Sequence, residues 1–284
     1  MPCRAPQAPA GLPSWRTVAA AGLVALSLAA CQKRGRAEIT GSIPSPQQAT
    51  PEAWRRHAEL WAPRYEANPA DATAALQYAA ALRALDQKPQ AAAVLQQAAL
   101  RHPGRPDLLA AYGKVLAEVG RYKEAAEVLG RAHSPERPDW RVLSTQGTVA
   151  DQTGDHALAQ QYYEAALKLV PDEPTVLSNL GLSQALAKRL PEAERTLKRA
   201  AELPKADQRV RRNLALVVSL QGRLAEAETI LKRDLPPEEA AEVMADLRSL
   251  VSQPNSWAAL KRADAAAKAD GAKSTEPEGG PSTY

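Results

Sequence analysis

Between residues 70 and 235 the small and apolar positions fall into columns spaced 34 residues apart. One column holds Ala79, Gly113, Gly147, Gly181 and Ala215, and a second holds Ala91, Ala125, Ala159, Ala193 and Ala227. Four positions after the second comes a bulky column, Leu95, Leu129, Tyr163, Leu197 and Leu231. Residues four apart share a helix face. Each unit therefore reads as two helices, the first with a small residue where a neighbouring backbone comes close. A further small column, Ala98, Ala132, Ala166 and Ala200, leads to prolines at Pro103, Pro138, Pro171 and Pro204, which stop the second helix. One such pair cannot bury its apolar face alone, and stacking supplies the missing partner. The pattern predicts an all-α helical solenoid of five repeats.

Turn chemistry delimits the helices. Asp71, Asp139 and Asp207 stand where first helices begin and read as N-caps. Pro106 and Pro174 fit the first helical position, and Pro89 and Pro191 open second helices in the same way. Gly120, Gly154 and Gly222 mark the turn between paired helices, where a positive φ suits glycine. Residues 51–69, with Trp54, Leu60, Trp61 and Tyr65, read as an N-terminal capping helix. At the other end, residues 236–252 place Val243, Met244, Leu247 and Leu250 on one face and read as a C-terminal capping helix. Residues 253–284, rich in Ala, Lys and Gly, read as a tail with Trp257 as its one adhesive residue.

The N-terminus carries a different signal. Arg4 and Arg16 precede an uncharged stretch from Val18 to Ala30, thirteen residues long and too short to span a bilayer. It is followed by Cys31. Leu28, Ala29, Ala30 and Cys31 resemble a bacterial lipobox, which implies that residues 1–30 are a lipoprotein signal peptide and that Cys31 is lipidated. Gln32 after the cysteine, by the same resemblance, implies passage to the outer membrane. An ordinary signal peptide or a buried Ala-rich helix is the alternative reading. Residues 31–50 then read as a polar tether with no apolar periodicity.

Charge and chemistry narrow the function. The formal net charge is +4, and 36 Lys and Arg less Arg4 and Arg16 of the leader leave 34 against 32 Asp and Glu. No basic stripe or RNA-binding aromatic motif accompanies that small excess, so nucleic acid is not an expected partner. The two cysteines, Cys3 and Cys31, both precede the repeats and allow neither a disulfide framework nor a zinc quartet. His57, His102, His133 and His156 are scattered, each expected at a helix end or a solvated face. No nucleotide-binding, metalloprotease or nucleophile-elbow motif occurs. The sequence thus offers no catalytic residue, metal site, cofactor or small-molecule substrate, and the expectation is a non-enzymatic protein.

The columns resemble the tetratricopeptide repeat, with its W-x2-L-G-x2-Y, A-x3-F and P positions. The early Trp is missing, Leu or Tyr replaces the Phe, and Asp234 stands where the last small residue of the fifth unit belongs. In such a solenoid first helices line a concave groove that holds an extended segment or a helix. Register places Thr73, Leu76 and Ala80, then Ala110 and Lys114, then Ser144, Thr148 and Asp151 in that groove. The favoured partner site lies further on, at Ser178, Asn179, Leu182, Arg209, Arg212, Asn213 and Leu216. Asn179 and Asn213, 34 apart, would bind a peptide backbone while Arg209 and Arg212 hold a carboxylate, an arrangement that resembles the carboxylate-clamp subset of these domains. The asparagines equally fit a local structural role.

From Pro138 onward, the runs YYEAALKLVPDEPTVLSNLGLSQAL and RNLALVVSLQGRLAEAE resemble the TadD-type lipoprotein family of the tight-adherence (Tad/Flp) pilus. That resemblance implies a scaffold on the periplasmic face of the outer membrane, held by its N-terminal lipid, that binds the pilus secretin and assembly components. Another envelope adaptor, such as a different secretin pilot, a barrel-assembly factor or a peptidoglycan-enzyme scaffold, shares the same parts. A regulatory subunit of an envelope enzyme is the remaining alternative.

Overall fold

The computed structural model describes residues 50–252. The leader, Cys31 with the tether as far as residue 49, and the tail with Trp257 lie outside them. Twelve α-helices follow one another in the described residues. Helix α1 (Pro51–Ala67) packs on the first of five helix pairs. The pairs are α2 and α3 (Ala72–Ala84, Lys88–Arg101), α4 and α5 (Pro106–Glu118, Tyr122–Gly130), α6 and α7 (Trp140–Thr153, His156–Leu169), α8 and α9 (Pro174–Leu186, Leu190–Glu202), and α10 and α11 (Gln208–Leu220, Leu224–Leu231). Helix α12 (Pro237–Ser252) rests on α10 and α11 through Ala240, Met244 and Leu247. No helix of the described residues is long and apolar enough to cross a membrane.

Starts of helices follow their side chains. The Asp71 carboxylate accepts from the N–H groups of Thr73 and Ala74 at 2.8 and 3.2 Å, Asp139 from Arg141 at 2.8 Å, and Asp207 from Val210 at 3.0 Å. These bonds satisfy donors that have no partner inside the helix. Pro106 and Pro174 open α4 and α8. Helix α1 runs through Pro63, which lacks the N–H that would bond the preceding turn. Anchors on both sides hold it: Trp61 is buried, and the Tyr65 hydroxyl donates to Gln97 Oε1 at 3.1 Å.

Within every pair the turn has one geometry. Positive φ occurs at Asp86, Gly120, Gly154, Lys188 and Gly222, each 34 residues from the next. After each, the following N–H bonds back five residues, from Gln87 to Leu82, Arg121 to Leu116, Asp155 to Ala150, Arg189 to Gln184 and Arg223 to Val218, at 2.8–3.2 Å. This is the Schellman closure. Two units complete it without glycine.

The small column meets a side chain rather than a neighbouring backbone. A Cβ on Gly113, Gly147 or Gly181 would lie 2.5–2.6 Å from Leu129, Tyr163 or Leu197, the bulky residue of the same unit's second helix. The second helices also differ in length from expectation. Helix α5 ends at Gly130, eight residues before Pro138, so Pro138 does not stop it. Glycine in a last turn and Pro135, whose ring bars helix at Ser134, end it first. An isolated bridge between Ser134 and Arg137 fills the gap. Helix α11 likewise stops at Leu231, and Asp234 beyond it pairs with Arg211.

Candidate partner-binding face

First helices of successive units pack directly on one another, α6 on α8 and α8 on α10, more closely than the second helices do. They therefore form the inner layer of the stack, and their open side is the candidate face. On α6 this side is the stripe Arg141, Thr145 and Thr148, on α8 it is Thr175 and Asn179, and on α10 Arg209 and Arg212. Spacing of three or four keeps each set on one helix face. Arg141, Thr175 and Arg209 occupy one register position, 34 residues apart.

The favoured residues divide between this surface and the layer beneath it. Ser178, Leu182, Asn213 and Leu216 are buried, at 1, 2, 8 and 8% exposure, so they lie under the face rather than on it. The physical reason is the packing between first helices, which covers the flank that register alone would assign to the groove. Asn213 Nδ2 donates to Ser178 Oγ at 2.9 Å, and at the equivalent position Asn179 Nδ2 donates to Ser144 Oγ at 3.4 Å. These amides join consecutive units. Asn179 remains half-buried, Arg212 is exposed, and Arg209 is half-buried with its nearest carboxylate, Asp207, at 3.8 Å. Arg141, Thr145 and Thr175 were not expected from the sequence, although Arg141 stands 68 residues, two full periods, before Arg209.

Asp151 is also below the surface, 1% exposed. Its carboxylate accepts from Ser183 Oγ at 2.7 Å and from the Tyr163 hydroxyl at 3.0 Å, and it pairs with His156 Nδ1 at 2.8 Å. The cluster joins α6, α7 and α8. It also accounts for tyrosine in a column of leucines: the ring fills the apolar site and the hydroxyl reaches the carboxylate.

The other histidines are structural. His57 is buried, not solvated, with Nε2 3.0 Å from Gln77 Oε1 and its ring between Trp54 and Trp61, at 5.7 and 6.1 Å. Burial holds its pKa below the ordinary histidine value, against an opposing contribution from the Gln77 bond. His102 ends α3 and lies 2.7 Å from the Ala70 carbonyl, and His133 bonds Gln146 at 3.0 Å. Among the described residues no three His, Cys, Asp or Glu converge on a metal-sized site.

With this geometry in place, comparison with known proteins fixes the architecture. A family model described as Tetratricopeptide repeat matches residues 144–208, from α6 to the start of α10. No curated protein matches the chain in sequence. Among solved structures, PilW, a widely conserved type IV pilus biogenesis factor, is 18% identical, with a TM-score of 0.56 over 74% of this chain and 91% of its own. The pilF protein of Pseudomonas aeruginosa is 21% identical, with a TM-score of 0.53 over 82% of this chain and 100% of its own. Cut9–Hcn1 of the APC/C gives 18% and 0.55 over 70% of this chain and 43% of that one. At such identities the likeness is one of fold. The helix pairs, their 34-residue register and these matches together give the described residues the fold of a tetratricopeptide-repeat helical solenoid.

Proposed function

We propose that the protein is a non-enzymatic adaptor, anchored to the periplasmic face of the outer membrane through lipid on Cys31, that supports Tad/Flp pilus assembly by binding partner proteins, the secretin among them. The observation that carries the reading is the open stripe on α6, α8 and α10. Three consecutive first helices present side chains from repeating positions to one face, while the remaining columns are committed to packing. A surface of this kind suits an extended protein segment. The pilus context draws support from the resemblance of the runs after Pro138 to the TadD-type family and from the fold shared with PilW. The anchor draws its support from the lipobox-like residues Leu28 to Cys31.

A mild-detergent pull-down from envelope fractions, beside a Cys31→Ala form, tests the reading by mass spectrometry. Secretin and pilus components recovered with the lipidated form are the expected result. Recovery of barrel-assembly or peptidoglycan proteins in their place would overturn the pilus assignment and leave the adaptor.

A further inference from the structure

Polar ties between successive units are unevenly distributed. Units three, four and five are joined at repeating positions, by Asn179 to Ser144 and Asn213 to Ser178 along the first helices. Beside the turns, Arg189 reaches back to Gln160, and Arg223 to Glu194 at 2.8 Å. Ser183 adds its bond to Asp151 between units three and four. At the other end of the stack, His57 and Tyr65 of α1 bond Gln77 and Gln97 of unit one, and Arg83 of unit one pairs with Glu118 of unit two at 3.6 Å.

Between units two and three the repeating positions hold Ala110 with Thr145, Ala126 with Asp155, and Ala117 with Val149. An alanine side chain neither donates nor accepts, so these three ties cannot form. Thr145 bonds the Arg141 carbonyl of its own helix instead, at 2.9 Å. Val142 and Val149 of α6 do join the core cluster of the first two units. That contact is apolar and non-directional, and it tolerates a change of angle that a hydrogen bond would not.

The outer wall is also reduced at this junction. Helix α5 has 9 residues against 14 in α3 and in α7, and it packs on α6 less extensively than α3 on α4 or α7 on α8. Residues 131–139 link the two units, where 102–105 and 170–173 serve at the corresponding places. Within that link the allegiance changes over two residues. Arg131 donates to the Pro103 carbonyl at 3.0 Å, on the N-terminal side, whereas His133 Nε2 bonds Gln146 Oε1 of α6 at 3.0 Å.

We propose that the stack bends here as two bodies, α1–α5 and α6–α12, which turn about a hinge between Arg131 and His133. The first helices α4 and α6 stay in apolar contact as the pivot, and the gap beside the shortened α5 opens and closes. The open stripe on α6, α8 and α10 lies wholly in the second body and swings as a unit against the N-terminal pairs. The inference goes beyond the adaptor reading and does not depend on it.

The test measures spin-label distances by pulsed dipolar resonance in frozen samples of the full chain carrying Cys3→Ser and Cys31→Ser. Glu59, Glu127, Gln161, Arg195 and Thr229 are exposed and share one register position on α1, α5, α7, α9 and α11. Labels go on cysteine pairs that replace Glu59 and Glu127, Glu127 and Arg195, or Gln161 and Thr229. Each pair spans two junctions, and only the middle pair crosses from unit two to unit three. Its distance distribution is expected to be at least twice as broad as either of the others. Installing the missing ties, with Ala110→Ser and Thr145→Asn beside Ala126→Gln and Asp155→Arg, is expected to narrow it to the width of the other two. Circular dichroism checks folding, and Ala126→Gln with Asp155→Arg, both at exposed positions, serves alone if the fourfold variant does not fold, removing at least half of the excess width. Equal widths for the three pairs, or a middle distribution left as broad by the installed ties, would overturn the hinge. No partner enters the measurement, so secretin recovery in the pull-down stands or falls separately.

Discussion

Gly147 lies so close to Tyr163 that a Cβ on the glycine would stand 2.6 Å from the ring. The ring cannot retreat, because it is fully buried and its hydroxyl is tied to Asp151. Gly113 has the same relation to Leu129, which is as fully buried, but units one and five hold Ala79 and Ala215 at this register position with Leu95 and Leu231 at that of Leu129, so an alanine–leucine pairing fits the repeat. Alanine also gains about 1 kcal/mol over glycine inside a helix. Gly113→Ala should therefore unfold within about 1 kcal/mol of the parent in urea, while Gly147→Ala loses about 2–3 kcal/mol. Equal losses at both sites would show that the partner side chain does not set the limit.

Lys188 occupies the turn position that glycine fills in units two, three and five, with φ 63°. A left-handed conformation costs a residue with a Cβ about 1–2 kcal/mol, partly offset by glycine's larger entropy when unfolded. Lys188→Gly should raise stability by about 0.5–1 kcal/mol in thermal or chemical unfolding. Asp86→Gly should gain less, since aspartate tolerates this region better than lysine.

Removing the Asp151 carboxylate strands three partners at once. Asp151→Ala should cost about 2–4 kcal/mol, because the buried Ser183 and Tyr163 hydroxyls lose their carboxylate acceptor. Other units use apolar residues at the equivalent places: Ala117 or Ala185 for Asp151, Leu129 or Leu197 for Tyr163, Val115 or Val217 for Ser183. Combining Asp151→Ala with Tyr163→Leu and Ser183→Val should recover most of the loss. A triple variant weaker than the single one would refute the account of why tyrosine stands there.

His57 should report on the first unit. Its folded pKa lies below the unfolded value because burial disfavours the charged ring. The unfolded chain therefore binds the extra proton first, and the stability due to neutral His57 is complete above about pH 6.5 and declines as pH falls below it. Trp54 and Trp61 flank the ring, so tryptophan fluorescence during urea titrations at pH 7.5 and 5.5 should show the decline, and His57→Gln should remove it.

Glu194 makes the opposite choice of charge state. Burial pushes its pKa up, but Lys198, Gln221 and Arg223 together outweigh that and hold it down to about 2. The carboxylate oxygens meet Lys198 at 2.7 Å and Gln221 and Arg223 at 2.8 Å, so one side chain of α9 fastens the turn that joins α10 to α11. A depressed carboxylate pKa gives stability that is full above about pH 4.5 and lost as pH falls toward 2. Glu194→Gln should lower stability at pH 7 by about 1–2 kcal/mol and flatten the acid limb between pH 4.5 and 2.

Much of the architecture could be read from spacing, because each column has a single packing task. Asp71, Asp139 and Asp207 cap as their chemistry requires, and Gly120, Gly154 and Gly222 turn where expected. What spacing could not supply was the neighbour. Ser178 and Asn213 sit at positions that a lone helix would expose, and only the adjacent first helix covers them and supplies the hydrogen bond. The left-handed turns at Asp86 and Lys188 have no compositional mark, since the Schellman bonds on either side impose the conformation. The early end of α5 was marked, by Gly130 and Pro135, but a regular column of prolines drew the boundary to Pro138.

The repeated hydrogen bonds between units bear on how the chain acquires its structure. Asn179 reaches back 35 residues to Ser144, Asn213 the same distance to Ser178, and the Arg131 and Arg199 guanidiniums 28 residues to the carbonyls of Pro103 and Pro171. Each bond spans about one period, so a new pair needs only the pair before it as a template. Topologies dominated by such near-neighbour contacts pay little loop-closure entropy and fold quickly. A chain emerging end first can therefore set each pair as it appears, and the order of synthesis becomes a workable order of assembly.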